Sequence, residues 1–344
     1  MSHNRVNITE VARAAGVSIT TVSLILNGKS DSLRISEKTK AKVFGVAAQL
    51  GYQANPFASA LRKGKTGVVG VISRSIATPF LGEVARELQK AALSADTELL
   101  IASARQSFDT MKGQLNIMQN HLFDGLILLG DIPNLELVVA NLRAAQKIFV
   151  SVESGTAASP PVVTVDEQRG MLLALDYLRD LGHRRIAYVG DPTRTSTRER
   201  QAAYRRYLEQ NGFTFIDGYV QLYPQLEAHL PEVVLALLRL PQPPTAIFCA
   251  ADGHALLLEK ELLRAGIKIP QDLSVMGFDD SREAVLAHPE LTTIRQPTQL
   301  LAEAAISLLL KIIETPEDVA LRQTVTLIAP ELIVRASTAP PSLD

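Results

Sequence analysis

Apolar residues return along this chain with two different periods, and the change from one to the other falls near residue 66. In the first stretch they recur every three or four positions, the spacing that lines one face of a helix. Ile8 to Ala15 reads as a first helix, with Asn7 as its cap, Glu10 three residues later and Gly16 as its stop. Val17 leads straight into a second cap, Ser18, so another helix starts after a very tight turn. Val11, Ala14, Ala15, Val22, Ile25 and Leu26 can pack these two helices together, which leaves Ile19, Thr20, Ser23 and Leu24 on or near the opposite face. A third helix opens after Ser36, carries Val43, Val46, Ala47 and Leu50 on one stripe, and ends at Gly51. Periodicity alone leaves two alternatives here, a plain three-helix bundle or a helix-turn-helix.

From Thr66 onward the pattern is one of short apolar runs alternating with amphipathic helices. The runs are VVGVIS (68–73), ELLIAS (98–103), DGLILL (124–129), KIFVSV (147–152), VVTV (162–165), RIAYVG (185–190), AIFCA (246–250) and LSVMGF (273–278), with helices over Phe80 to Ser94 and Ser107 to His121. Strands that are apolar throughout are buried on both faces, which implies parallel sheets covered by helices, the doubly wound α/β layer. The segment is too long for one such layer and predicts two lobes, with a ligand cleft where the carboxyl ends of the strands face each other.

Charge separates the same two regions. Residues 1–66 hold ten Lys and Arg against three Asp and Glu, while the rest of the chain holds 25 against 33, so the overall charge of −1 conceals a basic head on an acidic body. A small cationic helical module suits a polyanion, and in a helix-turn-helix the second helix enters the major groove by its first residues. The chain opens without an apolar run behind a basic patch, so neither signal peptide nor membrane span is expected. A lone Cys249, in AIFCAAD, is expected in a buried strand of a protein from a reducing compartment. The six histidines lack metal-ligand spacing, and the chain has no GxGxxG after a strand, no phosphate loop, no HExxH and no GxSxG. Neither a cofactor nor an enzymatic activity is therefore expected.

The residues themselves add a resemblance. ITEVARAAGVSITTVSLILNGK, RISEKTKAKV and LGYQANPFASALRKGKTGVVGVI resemble the LacI/GalR family of transcription regulators along its DNA-binding head and hinge. What this implies is an all-α helix-turn-helix head on a two-lobed, periplasmic-binding-protein-like α/β body. Ile19, Thr20 and Leu24 fall where the family reads base edges, and Asn7, Ser18, Thr21, Ser23, Asn27, Ser36 and Asn55 where it grips the DNA backbone. Ile19 and Leu24 cannot make bidentate base contacts and suit thymine methyl groups instead. The loop NGKSDSLRIS is a few residues longer than is usual in the family. Asn55 to Leu61 resembles the hinge helix, with Ala58, Ser59 and Leu61 in the minor groove and Leu61 as the wedge.

The likeness continues through TPF (78–80), LGHRRIAYVG, STRERQAAY, CAADGHA, LSVMGFDD and LTTIRQP, ending near Arg335. By it, Phe80, Ser151, Arg198, Arg200, Tyr223, Ala251 and Asp279 are the effector-binding residues, and His183 in LGHRR is structural. Ser151 and Ala251 stand where sugar-binding relatives carry an acid and an Asn, and Arg74, Arg194 and Arg198 accompany Arg200, so an anionic metabolite such as a sugar acid or sugar phosphate is expected. The expected division is 1–52 for the head, 53–66 for hinge and linker, 67–337 for the body and 338–344 for a tail. Within the body the lobes are expected at about 67–160 with 295–322, and 161–292 with 323–337. The resemblance implies a cytoplasmic homodimer on double-stranded operator DNA, most often a repressor, controlled by a small-molecule effector and not associated with a membrane. No leucine heptad follows Pro330, so no tetramer is expected. A transporter's solute-binding protein would account for the body but leaves the head without a use.

Overall fold

The first helix is set by reciprocal side-chain bonds at its start. In the computed structural model, which describes residues 6–26, 35–52, 65–103, 113, 123–132, 134–153 and 160–342, Asn7 Oδ1 accepts from the Glu10 N–H at 3.0 Å and Glu10 Oε2 accepts from the Asn7 N–H at 2.9 Å. This capping box opens α1 (Ile8–Ala15). Gly16, at φ 67°, takes the left-handed conformation that ends it, and the Val17 N–H returns to the Ala12 carbonyl. Ser18 then caps α2 (Ile19–Leu26), its Oγ accepting from the Thr21 N–H at 3.0 Å. The two helices meet at 104° across a turn of three residues, the geometry of a helix-turn-helix. Ser36 caps α3 (Glu37–Gln49) in the same way.

The core of this unit, residues 1–66, is Val11, Ala12, Ala15, Val22, Ile25, Val43 and Ala47. Two expectations are corrected. Ala12 is buried and Ala14 exposed, a rotation about the helix axis that a run of alanines does not betray. Leu50 is exposed, because its N–H already closes the last turn of α3; Tyr52, bonded through its N–H to the Ala47 carbonyl, packs on the core instead.

The second unit, residues 67–344, has two six-stranded sheets. The first, in the order β11-β5-β4-β3-β1-β2, is parallel throughout and comprises β1 (Val68–Ser73), β2 (Glu98–Ser103), β3 (Gly125–Leu129), β4 (Phe149–Val152), β5 (Val162–Val165) and β11 (Val325–Ile328). The second, in the order β12-β10-β9-β8-β6-β7, comprises β6 (Ile186–Gly190), β7 (Val220–Leu222), β8 (Ala246–Cys249), β9 (Ser274–Asp279), β10 (Thr292–Arg295) and β12 (Glu331–Ile333). Here β12 runs antiparallel to β10, the exception to the expected parallel pattern. Every residue of β3, β4, β5, β6 and β8 is buried, as helices on both faces require. Helices α4 (Pro79–Ser94), α5 (Leu135–Ala144) and α11 (Thr298–Glu314) accompany the first sheet. The second carries α6 (Glu167–Asp180), α7 (Thr195–Gln210), α8 (Leu230–Leu238), α9 (Asp252–Arg264) and the short α10 (Arg282–Leu286). The helix expected over Ser107 to His121 lies almost wholly outside the described residues.

Strand membership moves the lobe boundaries. The chain passes between sheets after β5, after β10 and after β11, so VVTV belongs to the first lobe and residues 325–328 return to it. The expected crossings at 160, 292–295 and 322 come a few residues too early, because Pro160-Pro161 reads as a linker although β5 follows it and pairs with β4. Strands β7, β10, β11 and β12, of three or four residues and partly exposed or Thr-rich, give too short an apolar run to be read from sequence.

Candidate functional site

In the head the outward surface of α2 begins with Ser18, Ile19 and Thr20, all exposed; Ile19 shows 44% of its surface. Leu24, one turn on, is half-buried. No acid stands in the first turn of α2, so its N-terminal N–H groups keep their attraction for an anion. Asn7 and Ser36, caps of the other two helices, are also exposed. Thr21 is half-buried, its hydroxyl 2.8 Å from Ser18 Oγ. Ser23, expected among the backbone contacts, is buried at 9% exposure, because position 23 falls on the side of α2 that carries Val22 into the core. Asn27, Asn55, Ala58, Ser59 and Leu61 lie outside the described residues.

In the second unit a cavity of about 350 Å³ lies at the carboxyl ends of the strands, between the two sheets. Phe80, at the start of α4, Arg200 on α7, Ala251 before α9 and Asp279 at the end of β9 all line it, as expected. Three expected residues do not. Ser151 is fully buried in mid-strand β4. Arg198 bonds its own turn, donating to the Pro192 carbonyl at 2.7 Å and to Thr195 Oγ1 at 3.0 Å; two residues apart on a helix, it and Arg200 face different ways. Tyr223 packs against the second-lobe core and stacks on His229 at 5.0 Å.

Arg200 is 3% exposed and fully engaged within the protein. Its Nε and Nη2 donate to the two carboxylate oxygens of Glu167, at 2.5 and 2.9 Å, Nη1 donates to the Ala250 carbonyl, and the guanidinium lies 3.5 Å over the Phe278 ring. Burial alone would lower the Arg200 pKa, but Glu167 outweighs it and keeps the group charged. Phe278 is in turn pressed by α6, where a Cβ on Gly170 would come within 2.7 Å of the ring.

Sequence reasoning missed the acids. Asp131, Glu153, Glu227 and Glu283 line the cavity beside Asp279, against Arg74, Arg194 and Arg200. Asp131 accepts from the Thr195 N–H at the start of α7, bridging the lobes, and pairs with Arg74 at 3.7 Å. Glu153, the residue after β4 and the one that strand-end logic selects over Ser151, accepts through Oε1 from the Thr164 hydroxyl and the Val165 N–H. Asp279 accepts from Gln296 Nε2 at 2.6 Å and has the rare backbone φ of 134°, a strained conformation of the kind found at binding sites. Burial, reinforced by the charge of Glu167, pushes Glu153 up to about 8; burial and the charge of Asp252 do the same to Asp279. This acid-rich lining runs against the anionic metabolite expected from sequence.

These shifts fix a direction of pH dependence. Glu153, Asp279 and Glu259, each raised to about 8, hold protons in the folded state that the unfolded chain has already lost. Stability contributed by their neutral forms is therefore lost as pH rises through about 8. Urea unfolding between pH about 7 and about 9 should show falling stability, flattened by Glu153→Gln; a stability that rises over this window would contradict the burial argument.

His183 is buried between Thr245 Oγ1 and the Ala339 carbonyl, both at 2.9 Å, a structural role. Cys249 is a buried free thiol in β8. Among the described residues no single helix is long and apolar enough to cross a membrane.

Comparison with known proteins agrees with this architecture. Residues 7–55 match bacterial regulatory proteins of the lacI family, and residues 175–338 match the periplasmic binding protein-like domain. The HTH-type transcriptional regulator DegA of Bacillus subtilis is 32% identical over 85% of this chain and 87% of its own length. Catabolite control protein A of Priestia megaterium is 29% identical over 93% and 99%. The crystal structure of the Lac repressor dimer bound to operator and an anti-inducer superposes with a TM-score of 0.84 at 24% identity, covering 98% of this chain and all of that one. The helix-turn-helix head, the two-sheet body and a regulator this similar over most of both lengths lead to one conclusion: the chain belongs to the LacI family, DNA-binding transcription regulators, not enzymes, with an effector-binding domain.

Proposed function

We propose that this protein is a cytoplasmic repressor that binds a two-fold operator as a homodimer and is controlled by a small hydroxyl-bearing metabolite held between its lobes. The observation that carries the reading is the open N-terminal face of α2, where Ile19 and Thr20 are exposed on a basic, three-helix head. Such a face inserts into a major groove, with the helix caps Asn7, Ser18 and Ser36 turned toward phosphates. The Lac repressor, a dimer in its operator complex, supplies the analogy for pairing.

Control follows from the cleft. A ligand that contacts both lobes favours one arrangement over another by the difference in its affinity for the two. The Asp131 bond to the Thr195 N–H is one that lobe opening must break, so it is a natural point at which ligand and lobe angle are linked. The hinge residues 53–66 would then carry the change to the head.

Selection from a random duplex library tests the reading. A two-fold sequence should be enriched, with affinity falling linearly as the logarithm of salt rises. Ile19→Ala should alter which bases are preferred, whereas Thr21→Ala should weaken binding on every sequence alike. Binding that is insensitive to salt, or the absence of any selected sequence, would overturn the proposal.

A further inference from the structure

The interlobe cavity has an electrostatic character of its own, and the inference drawn from it rests on the reading of this cavity as the effector site. Three cationic places border it: the Arg200 guanidinium, the N-terminus of the sixteen-residue helix α7 beside Arg74, and Arg194, the residue that caps that helix. The protein's own carboxylates occupy the first two. Glu167 takes Nε and Nη2 of Arg200 in a bidentate pair, itself only 4% exposed. Asp131 accepts the first N–H of α7 with both oxygens at 3.2 Å and pairs with Arg74. An incoming carboxylate or phosphate would have to displace a built-in one from either of these, which leaves it Arg194 alone against the five acids of the lining.

Much of what remains on the walls accepts hydrogen bonds. Gln296, 3% exposed, donates its Nε2 hydrogen to Asp279, and its Oε1 is a buried acceptor with no partner among the described residues. A buried acceptor left unpaired is costly, so this oxygen calls for a donor from the cavity. Asp279 stands beside it from the second lobe and Glu153 faces the cavity from the first, so acidic groups reach the same space from both sides. Glu227 adds a further acid, bonded to His254 Nε2.

We infer that the effector carries a protonated amine, as an amino sugar or another amine-bearing polyol does, and that its ammonium is held by Glu153 and Asp279 with Gln296 Oε1 as a third acceptor. An ammonium has three donors and no acceptor, which suits a wall made of two carboxyl groups and an amide oxygen. It also adds positive charge beside two acids that burial holds toward their neutral forms, an effect that Arg200 opposes but does not overcome.

The test compares three probes of one size on the full-length protein: 2-aminoethanol, ethane-1,2-diol and glycolate, at matched ionic strength. Binding is followed through methyl resonances of Leu81, Leu256 and Leu257, which line the cavity. The expected result is a saturable shift with 2-aminoethanol, about tenfold tighter than with the diol and absent with glycolate, because charge-assisted bonds are the stronger ones. Glu153→Gln and Asp279→Asn should each remove that preference for the amine, in proteins whose spectra otherwise show the native fold. Equal binding of amine and diol, tighter binding of glycolate, no saturable shift with the amine, or an amine preference that survives in both variants would overturn the inference. Operator affinity measured on the same samples reports the regulatory reading separately. A repressor that binds its operator but prefers the diol or glycolate would lose only the amine.

Discussion

Glu167→Ala should destabilise the effector-binding unit by about 3–5 kcal/mol, among the largest effects of any single substitution in this chain. The reason lies in what is left behind. Arg200 is buried, and without Glu167 its guanidinium keeps, among the described residues, the Ala250 carbonyl and the Phe278 face as direct contacts, with Asp279 as the remaining acid that acts on it. An uncompensated buried cation is far more costly than the intact pair is beneficial. Arg200→Met should be damaging by the same logic, since it strands the carboxylate. The two changes are in direct contact and should not add: Glu167→Leu combined with Arg200→Met, which replaces the pair by apolar side chains, should recover most of the loss. Urea denaturation of the four proteins gives the cycle. Near-additive losses would show that the pair is not the unit described here.

Ile25→Ala should abolish operator binding at growth temperature while leaving the effector unit folded. Ile25 is 1% exposed, in a core with seven buried apolar residues among those described. Removing a buried isoleucine to alanine costs about 2–5 kcal/mol. A domain of this size holds only about 3–5 kcal/mol in its core, so one such deletion consumes most of it. Calorimetry should show the head's transition lowered or missing and that of residues 67–344 unchanged. A head that stays folded, with full operator affinity, would mean that stabilising contacts lie elsewhere.

How far the sequence could be read differed between the two units. In the head, caps and stops are local chemistry: Asn7 with Glu10, Gly16, Ser18 and Ser36 each act on bonds within four residues, and all are found in place. Of the misread positions there, Ala14 and Ser23 are small residues whose side of the helix is decided by contact with another helix, and Leu50 sits at a helix end where Tyr52 takes its place on the core. In the body, strands apolar on both faces were legible, whereas β7, β10, β11 and β12 depend on pairing partners far along the chain. The cleft shows the same divide. Arg200, Asp279, Ala251 and Phe80 fall at the cavity as motifs predict, but a motif cannot show that Glu167, 33 residues earlier, holds the arginine. That pairing depends on where the chain passes from one sheet to the other, and it is one ground for inferring an amine-bearing effector where the motifs suggest an anion.

Those three passages between sheets also bear on how the molecule is made. Neither half of the sensor is one continuous length of chain: the first sheet is completed by residues 325–328 and the second by 331–333. On the ribosome, the first sheet lacks this edge strand until residue 328 is made and the second until residue 333. The head needs only its own residues, so the part that acts on the genome can take shape well before the part that restrains it.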